Sequence, residues 1–232
     1  MHTAKTIASW SGGKDSCLAL YKAMKSGYRV KYLLNFISKE YKRCCFHGVE
    51  ADLLKLQAER IGIPLVQKEV SPDMQRYEEE FKKAVSGLKN EGLDSMIFGD
   101  VYLLDHASWV ERVCGELGIK PIEPLWNIPA LKVFEEFIGL GFKSIVVSCK
   151  ADVLGKEFIG RYIDRAMVDE FIARGVCPCG ENGEFHTFVF DGPIFKKSIR
   201  ITKNQPVLKE GFWPHWFLDI QKWEVIDKDS VI

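Results

Sequence analysis

The chain has 232 residues, 47% hydrophobic and 28% charged, with 32 Lys+Arg balanced by 32 Asp+Glu. That much apolar material excludes a disordered chain, and the length suits one domain or one domain with a smaller appended region. Split near residue 125, the first part carries 18 basic and 17 acidic residues and the second 14 and 15. Neither part shows the basic excess of a polyanion-binding surface, so no direct nucleic-acid binding is expected.

Thr6-Ile7-Ala8-Ser9-Trp10 is short, partly β-branched and followed by Gly12-Gly13, the pattern of a buried strand entering a tight turn. Cys17, Leu18, Leu20, Tyr21 and Met24 then recur at helical spacing and stop near Gly27. Val30 to Ile37 reads as a strand, Val49 to Ile61 as a helix and Pro64 to Val70 as a strand. Met74 to Leu88 is helical in period, with Tyr77, Phe81, Ala84, Val85 and Leu88 on one face. Ser95 to Phe98 is a buried strand ending at Gly99-Asp100, and Trp109 to Leu117 is a helix with Asp105-His106 at its beginning.

Strand and helix alternating this regularly imply crossover units, and hence an α/β fold built on a parallel, Rossmann-like sheet with helices on both faces. Ligands of such sheets bind beyond the carboxyl ends of the strands, so the loops after Trp10, Ile37 and Phe98 matter most. The strand ending at Asn35 to Ile37 is expected to border such a ligand.

After Pro121 to Trp126 the pattern changes, and a boundary is expected near 125–127, between regions 1–125 and 126–232. Leu131 to Phe137 looks helical, Ser144 to Ser148 a strand, and Ile163 to Arg174 a helix stopped at Gly175. Thr187 to Phe190, Ser198 to Ile201 and Phe217 to Ile226 are short β-like pieces, giving a smaller mixed α+β C-terminal region. The tail Asp227-Lys228-Asp229-Ser230 is expected to fray.

No run approaches the ~18 consecutive apolar residues of a membrane span. The first five residues lead into a strand without the apolar core of a signal peptide. Seven Cys, an odd number in a chain this long, argue against a disulfide framework. The expectation is a soluble cytoplasmic protein with reduced thiols and no membrane partner; a homo-oligomer is left open.

Ser11-Gly12-Gly13-Lys14-Asp15-Ser16 lies between the first strand and the first helix. Two glycines let the backbone turn sharply and present N–H groups to an anion. Ser11 and Ser16 add hydroxyls, the helix N-terminus adds its dipole, Lys14 can neutralise phosphate, and Asp15 can hold a Mg²⁺ bridging phosphates. The spacing is neither that of a Walker loop nor Gly-x-Gly-x-x-Gly. The plainer alternative is a turn in which Asp15 or Ser16 merely caps the helix.

This hexamer resembles the loop of the adenine nucleotide alpha hydrolases, the ATP pyrophosphatase group. The resemblance implies ATP cleavage between the α and β phosphates, adenylation of an acyl or carbon centre, and a loop that grips the leaving pyrophosphate.

Downstream, Cys179-Gly180-Glu181-Asn182-Gly183-Glu184-Phe185-His186-Thr187 gathers two carboxylates, an amide, an imidazole and a hydroxyl around two glycines. The bland reading is a surface turn leading into a strand. Joined to Phe188-Val189-Phe190-Asp191-Gly192-Pro193, the segment is similar to the signature of the diphthine–ammonia ligase family. Phe46-His47-Gly48, Phe98-Gly99-Asp100, Pro124-Leu125-Trp126 and Gly160-Arg161 match in order, from about Ser9 to Pro193.

That resemblance implies a reaction: ATP activates the carboxylate of diphthine, the modified histidine of translation elongation factor 2, as an acyl adenylate, and ammonia displaces AMP. It implies ATP and Mg²⁺ as cofactors, free ammonium as co-substrate, and elongation factor 2 as partner. Ser11, Gly12, Gly13, Lys14, Asp15 and Ser16 would hold the phosphates, with Asp15, and Asp100 near it, beside Mg²⁺. His47, Asp100, Glu181, Asn182, Glu184, His186 and Thr187 would bind the substrate. Lys14, Asp15, Glu184 and His186 are the expected catalytic set, with His186 accepting a proton from ammonium. No glutaminase arrangement of Cys is apparent.

Two rival readings stand beside this one: an adenylating enzyme acting on transfer RNA, and a nucleotide-binding regulator without turnover. Cys44, Cys45 and His47 with Cys177 and Cys179 could be assembled into a zinc site. Their C-C-x-H and C-x-C spacings favour small buried thiols instead. Trp213, Trp216 and Trp223 read as core or subunit contact, and 78–83 as a solvated mixed-charge face.

Overall fold

A computed structural model describes residues 5–71, 73–210 and 214–228; Trp213, Asp229 and Ser230 lie outside them. The first half is built of β1 (Lys5–Ser9), α1 (Lys14–Lys25), β2 (Arg29–Ser38), α2 (Ala51–Ile61), β3 (Leu65–Val70), α3 (Met74–Lys89), β4 (Leu93–Ile97), α4 (Leu104–Leu117) and β5 (Lys120–Ile122). All four strand pairings are parallel and the order is β3-β2-β1-β4-β5. The order reverses between β1 and β4, and an open sheet offers its ligand crevice at that reversal.

Alternation along the strands dictates the two helix layers, because successive side chains leave opposite faces. Ala8, Leu33 and Ile97 meet Leu18 and Leu20 of α1 and Ala58 and Ile61 of α2. Their neighbours Ile7, Leu34 and Met96 meet Phe81, Val85 and Leu88 of α3 and Val110 and Val113 of α4. The α3 face expected from its period is therefore the packed one.

β5 differs from expectation. No element was expected at Lys120-Pro121-Ile122, where the pattern changes, yet it is a strand, with Pro121 opposite Met96. Proline is tolerated there because β5 is the outer strand and its missing N–H leaves no ladder bond unmade. α4 starts at Leu104, so it takes in Asp105 and His106, and no side chain caps it.

The second half comprises α5 (Ala130–Gly139), β6 (Lys143–Lys150), a single 3₁₀ turn at Lys156–Phe158, α6 (Arg165–Ala173), β7 (Phe185–Asp191), β8 (Ser198–Lys209) and β9 (His215–Ile226). Its sheet is antiparallel in the order β7-β6-β9-β8. β8 runs well past Ile201, since the polar stretch to Pro206 still pairs with β9 on an exposed edge. Asp164 caps α6, its carboxylate accepting from the Met167 amide at 2.8 Å.

The two sheets share their apolar cores. Val49, Leu53 and Leu54 pack with Val146, Phe158, Phe171 and Phe188, and Val189 and Phe195 pack with α1. A polar stitch joins them as well. Gln57, fully buried on the apolar side of α2, donates from Nε2 to the Gly12 carbonyl at 3.0 Å and to the Val189 carbonyl at 2.6 Å. Its Oε1 accepts from Trp10 Nε1 at 3.0 Å. The Val189 amide in turn donates to the Gly12 carbonyl at 2.9 Å, which fixes β7 against the first loop.

Replacing Gln57 with Leu would strand the Trp10 indole N–H and weaken the hold on two buried carbonyls. Urea denaturation should show a loss of at least about 2 kcal/mol, since a stranded buried polar group costs about 1–3 kcal/mol. A loss under about 0.5 kcal/mol, the scale of neutral surface changes, would show that the stitch carries no weight.

Candidate active site

A cavity of about 750 Å³ opens where the chain leaves β1 and β4, the reversal point of the first sheet. Its polar wall holds Ser11, Lys14 and Asp15 after β1, Asp100 after β4, His47 from the loop before α2, and Glu181, Asn182, His186 and Thr187 from the segment entering β7. Residues distant in sequence that were read separately thus share one chamber.

The phosphate loop owes its shape to two glycines. Gly12 has φ +76°, and a Cβ there would collide with Leu54 and Gln57. A Cβ on Gly13 would lie 2.6 Å from Cε1 of His47. Gly13 is the N-cap of α1 and no side chain caps it, so neither Asp15 nor Ser16 acts as the cap. The Ser11 hydroxyl accepts from the Gly13 amide and donates to Ser16, which donates to the Gly13 carbonyl at 3.0 Å. Gly12, Gly13 and Ser16 therefore shape the loop from behind, while Ser11, Lys14 and Asp15 reach the cavity wall.

Lys14 is 4% exposed, and its ammonium donates to Asp15 Oδ2 at 2.7 Å and to the Cys179 carbonyl oxygen. The ammonium also lies 5.1 Å from the centre of the Phe185 ring. Burial alone would push its pKa down, but Asp15, the Cys179 thiol and Glu181 outweigh that and raise it to about 12. The Lys14 amide donates to Thr187 Oγ1 at 3.0 Å, anchoring the helix start to β7.

Burial raises the Asp15 pKa despite the neighbouring ammonium, with Asp100 adding to the rise. Its second oxygen, Oδ1, is buried with no hydrogen-bond partner among the described residues. An unsatisfied buried carboxylate oxygen suits a hard cation. Mg²⁺ characteristically takes one or two carboxylates and completes its shell with phosphate and water. No group of three or more His, Cys, Asp or Glu among the described residues could hold a metal by itself, so the zinc assembly of Cys44, Cys45, His47, Cys177 and Cys179 does not come together. Cys44 instead receives a hydrogen bond from Asn35.

Glu181 accepts from the Val101 amide at 3.2 Å, and burial, reinforced by Asp15, raises its pKa to about 7. Asp100 bonds Nδ1 of His106 at 3.1 Å and raises that imidazole's pKa. His47 and His186 face each other, ring centres 4.6 Å apart. Burial holds both below the ordinary imidazole value, with His47 at about 4.

Glu184 is placed differently from expectation. Its carboxylate is 8% exposed and does not line the cavity. It accepts from the Asn182 amide at 2.9 Å, from Asn182 Nδ2 at 3.0 Å and from the Cys177 amide at 3.3 Å. These three bonds brace the 177–184 loop.

Asn35 also departs from expectation. It is buried, donating to the Trp10 carbonyl at 2.8 Å and accepting from Gln67, and none of residues 35–37 lines the cavity. The sequence reading missed the opposite wall, an aromatic one of Tyr77, Phe81, Phe98 and Trp109. Phe81 and Trp109 meet edge to face at 5.0 Å. Helical period, or for Phe98 a buried strand end, marks these rings as core and gives no sign that their edges stop at a void.

Two family descriptions match the chain: the diphthamide synthase N-terminal domain over residues 4–121 and its C-terminal domain over residues 129–226. The chain belongs to the diphthamide synthase family. It is a ligase family. A zebrafish (Danio rerio) diphthine–ammonia ligase is 28% identical over 98% of this chain and 98% of its own length. The human (Homo sapiens) diphthine–ammonia ligase is 24% identical over 98% and 95%. The fission yeast (Schizosaccharomyces pombe) ligase is 26% identical over 88% of this chain and 37% of its own length. A solved structure described as a predicted subunit of tRNA methyltransferase from Methanocaldococcus jannaschii is 17% identical, with a TM-score of 0.44, over 80% and 96% of the two chains. No helix among the described residues is long and apolar enough to cross a membrane.

The raised Glu181 pKa has a consequence for this diphthamide synthase family member. A carboxyl whose folded pKa lies above its unfolded value contributes stability below pH 4.5 that is lost as pH rises through about 7. Glu181→Gln removes that titration, so thermal stability should vary less between pH 4.5 and 7 than in the native chain. Parallel pH profiles for the two proteins would contradict the burial of this carboxyl.

Proposed function

We propose that the chain is a diphthine–ammonia ligase, amidating the diphthine carboxylate of elongation factor 2 through an acyl adenylate and releasing AMP and pyrophosphate. The observation that carries this reading is the buried Lys14–Asp15 pair in one chamber with Glu181, His47 and His186. The volume, about 750 Å³, is within the range of small-molecule sites and suits a nucleotide beside a substrate side chain.

A carboxylate is a poor electrophile until one oxygen belongs to a good leaving group. Adenylation supplies AMP as that group, and the protein's share is positioning and charge stabilisation. Lys14, with Ser11 beside it, would hold the pyrophosphate being expelled. Its ammonium is already fixed by the Cys179 carbonyl, so it would meet phosphate charge without reorganising. Mg²⁺, held through Asp15 Oδ1, would supply neutralisation of the triphosphate. Asp100 and Glu181 present negative charge to the trimethylammonium group of diphthine and to ammonium. Thr187 and Asn182 would order the rim.

The chamber wall has no glutaminase-like thiol, since Cys179 is buried with its Sγ turned to the Ala130 carbonyl at 3.2 Å. Free ammonium is therefore the proposed nitrogen donor. The reaction belongs to the cytoplasm, where elongation factor 2 works.

The test is pyrophosphate and AMP release with ATP, Mg²⁺, ammonium and diphthine-bearing elongation factor 2. Release should require all of them, and Lys14→Ala should cut the rate by roughly 10²–10³, the scale of losing one charge-stabilising donor. Release with transfer RNA in place of the factor, or with glutamine in place of ammonium, would contradict the reading.

A further inference from the structure

The loop between β2 and α2 has no regular structure, yet His47 is pinned from several sides. Its amide donates to the Cys45 carbonyl at 2.7 Å, and the preceding Phe46 takes a left-handed φ of +64°. The Phe46 carbonyl is fixed by the Ser148 hydroxyl at 2.9 Å. A bulky residue held at positive φ marks a conformation that its surroundings impose.

The imidazole has a defined tautomer. Nδ1 lies 2.9 Å from the Thr187 carbonyl oxygen, which can only accept, so Nδ1 carries the hydrogen. In the neutral ring Nε2 is then a bare lone pair. Among the described residues it has no hydrogen-bond partner, and the ring lines the cavity. Cε1, bonded to Nε2, sits directly over Gly13 of the phosphate loop. The lone pair is therefore beside the place where the nucleotide phosphates would lie.

Resting on the ligase reading, we propose that Nε2 of His47 takes the proton from the incoming ammonium, making His47 a catalytic base for the amidation step. Ammonium gives one proton to Nε2, and the ammonia formed attacks the acyl carbon of the adenylate. The new C–N bond forms as the C–O bond to the phosphoryl group breaks, AMP leaving with the electron pair. The adduct nitrogen loses its second proton to the phosphate of AMP, so two hydrogens remain on the amide.

The surroundings fit this task. The groups facing the ring are Lys14 from α1 and His186 from β7, with Lys150 from β6 and His215 from β9 around His186. None of them carries negative charge, so nothing around the ring stabilises an imidazolium in advance. Burial and the Lys14 charge keep the ring neutral in the free protein. Bound anionic nucleotide would offset Lys14 and raise the ring's basicity when the proton has to be taken. The neighbouring imidazole of His186, tilted 40° to this ring, is held neutral by burial and by the charges of its neighbours.

The test separates proton removal from everything else by changing the nucleophile. Hydroxylamine is uncharged at neutral pH and attacks without first losing a proton, whereas ammonium cannot. His47→Asn, whose amide can still donate to Thr187, and His47→Ala are assayed at pH 7 with ATP and diphthine-bearing elongation factor 2. Ammonium-dependent amide formation should fall by roughly 10²–10⁴, the range for a general base, with hydroxamate formation reduced at most several-fold. The residual ammonium rate in both variants should climb with pH as free ammonia increases. Equal losses with the two nucleophiles, or an unchanged ammonium rate, would overturn the role of His47. Failure of the native protein with both nucleophiles would instead overturn the ligase reading beneath it.

Discussion

A lysine ammonium buried at the start of α1 is the constraint around which the molecule is arranged. Lys14 has left water almost entirely and is held by Asp15, the Cys179 carbonyl and the face of Phe185. Removing any one partner from a buried charge exposes its desolvation cost, which is several kcal/mol. The clasp therefore forces the 177–187 segment against the first loop. β7 follows, tied by Thr187 to the Lys14 amide and by Val189 to Gly12. Two sheets with different strand directions become one site because one charge needs ligands from both.

The same clasp sets the electrostatics of the chamber. Around the ammonium stand three carboxyl groups, Asp15, Asp100 and Glu181, and two imidazoles. Crowding and burial raise the Asp15 and Glu181 pKa values and lower those of His47 and His186. These four shifts move their groups towards the uncharged form, as expected of a site dry enough to penalise isolated charge, whereas the paired Lys14 is held charged. Such a chamber is unfinished without a polyanion and a cation, and ATP with an ammonium-type substrate would supply both. Glu184 instead accepts from backbone amides within its own loop.

How far this could be read beforehand follows from which forces are local. The parallel sheet was legible because strands such as Thr6–Ser9 and helices such as α3 carry their period in adjacent residues. β5 was not, because three residues around a proline carry no strand period and only the outer position in the sheet makes Pro121 tolerable. The 12-residue β8 was not, because the polar run Thr202 to Gln205 interrupts its pattern and pairs only with β9. Lys14, Asp15 and Glu181, singled out from residue type and order, line one cavity. Glu184 accepts from three donors within its own loop, and no spacing shows who donates to a carboxylate. Gln57 left no trace at all, since one polar residue on an apolar helix face looks like noise until its partners, Trp10, Gly12 and Val189, are placed in space.

The measurement that bears most directly on the Lys14 clasp is a crystal structure with a non-hydrolysable ATP analogue and Mg²⁺. The account predicts the triphosphate over residues 11–15, with phosphate oxygens within hydrogen-bond reach of the Lys14 ammonium and the cation on Asp15 Oδ1. A triphosphate bound elsewhere, with Lys14 still closed on Asp15 and Cys179 and Asp15 Oδ1 still unpaired, would contradict it.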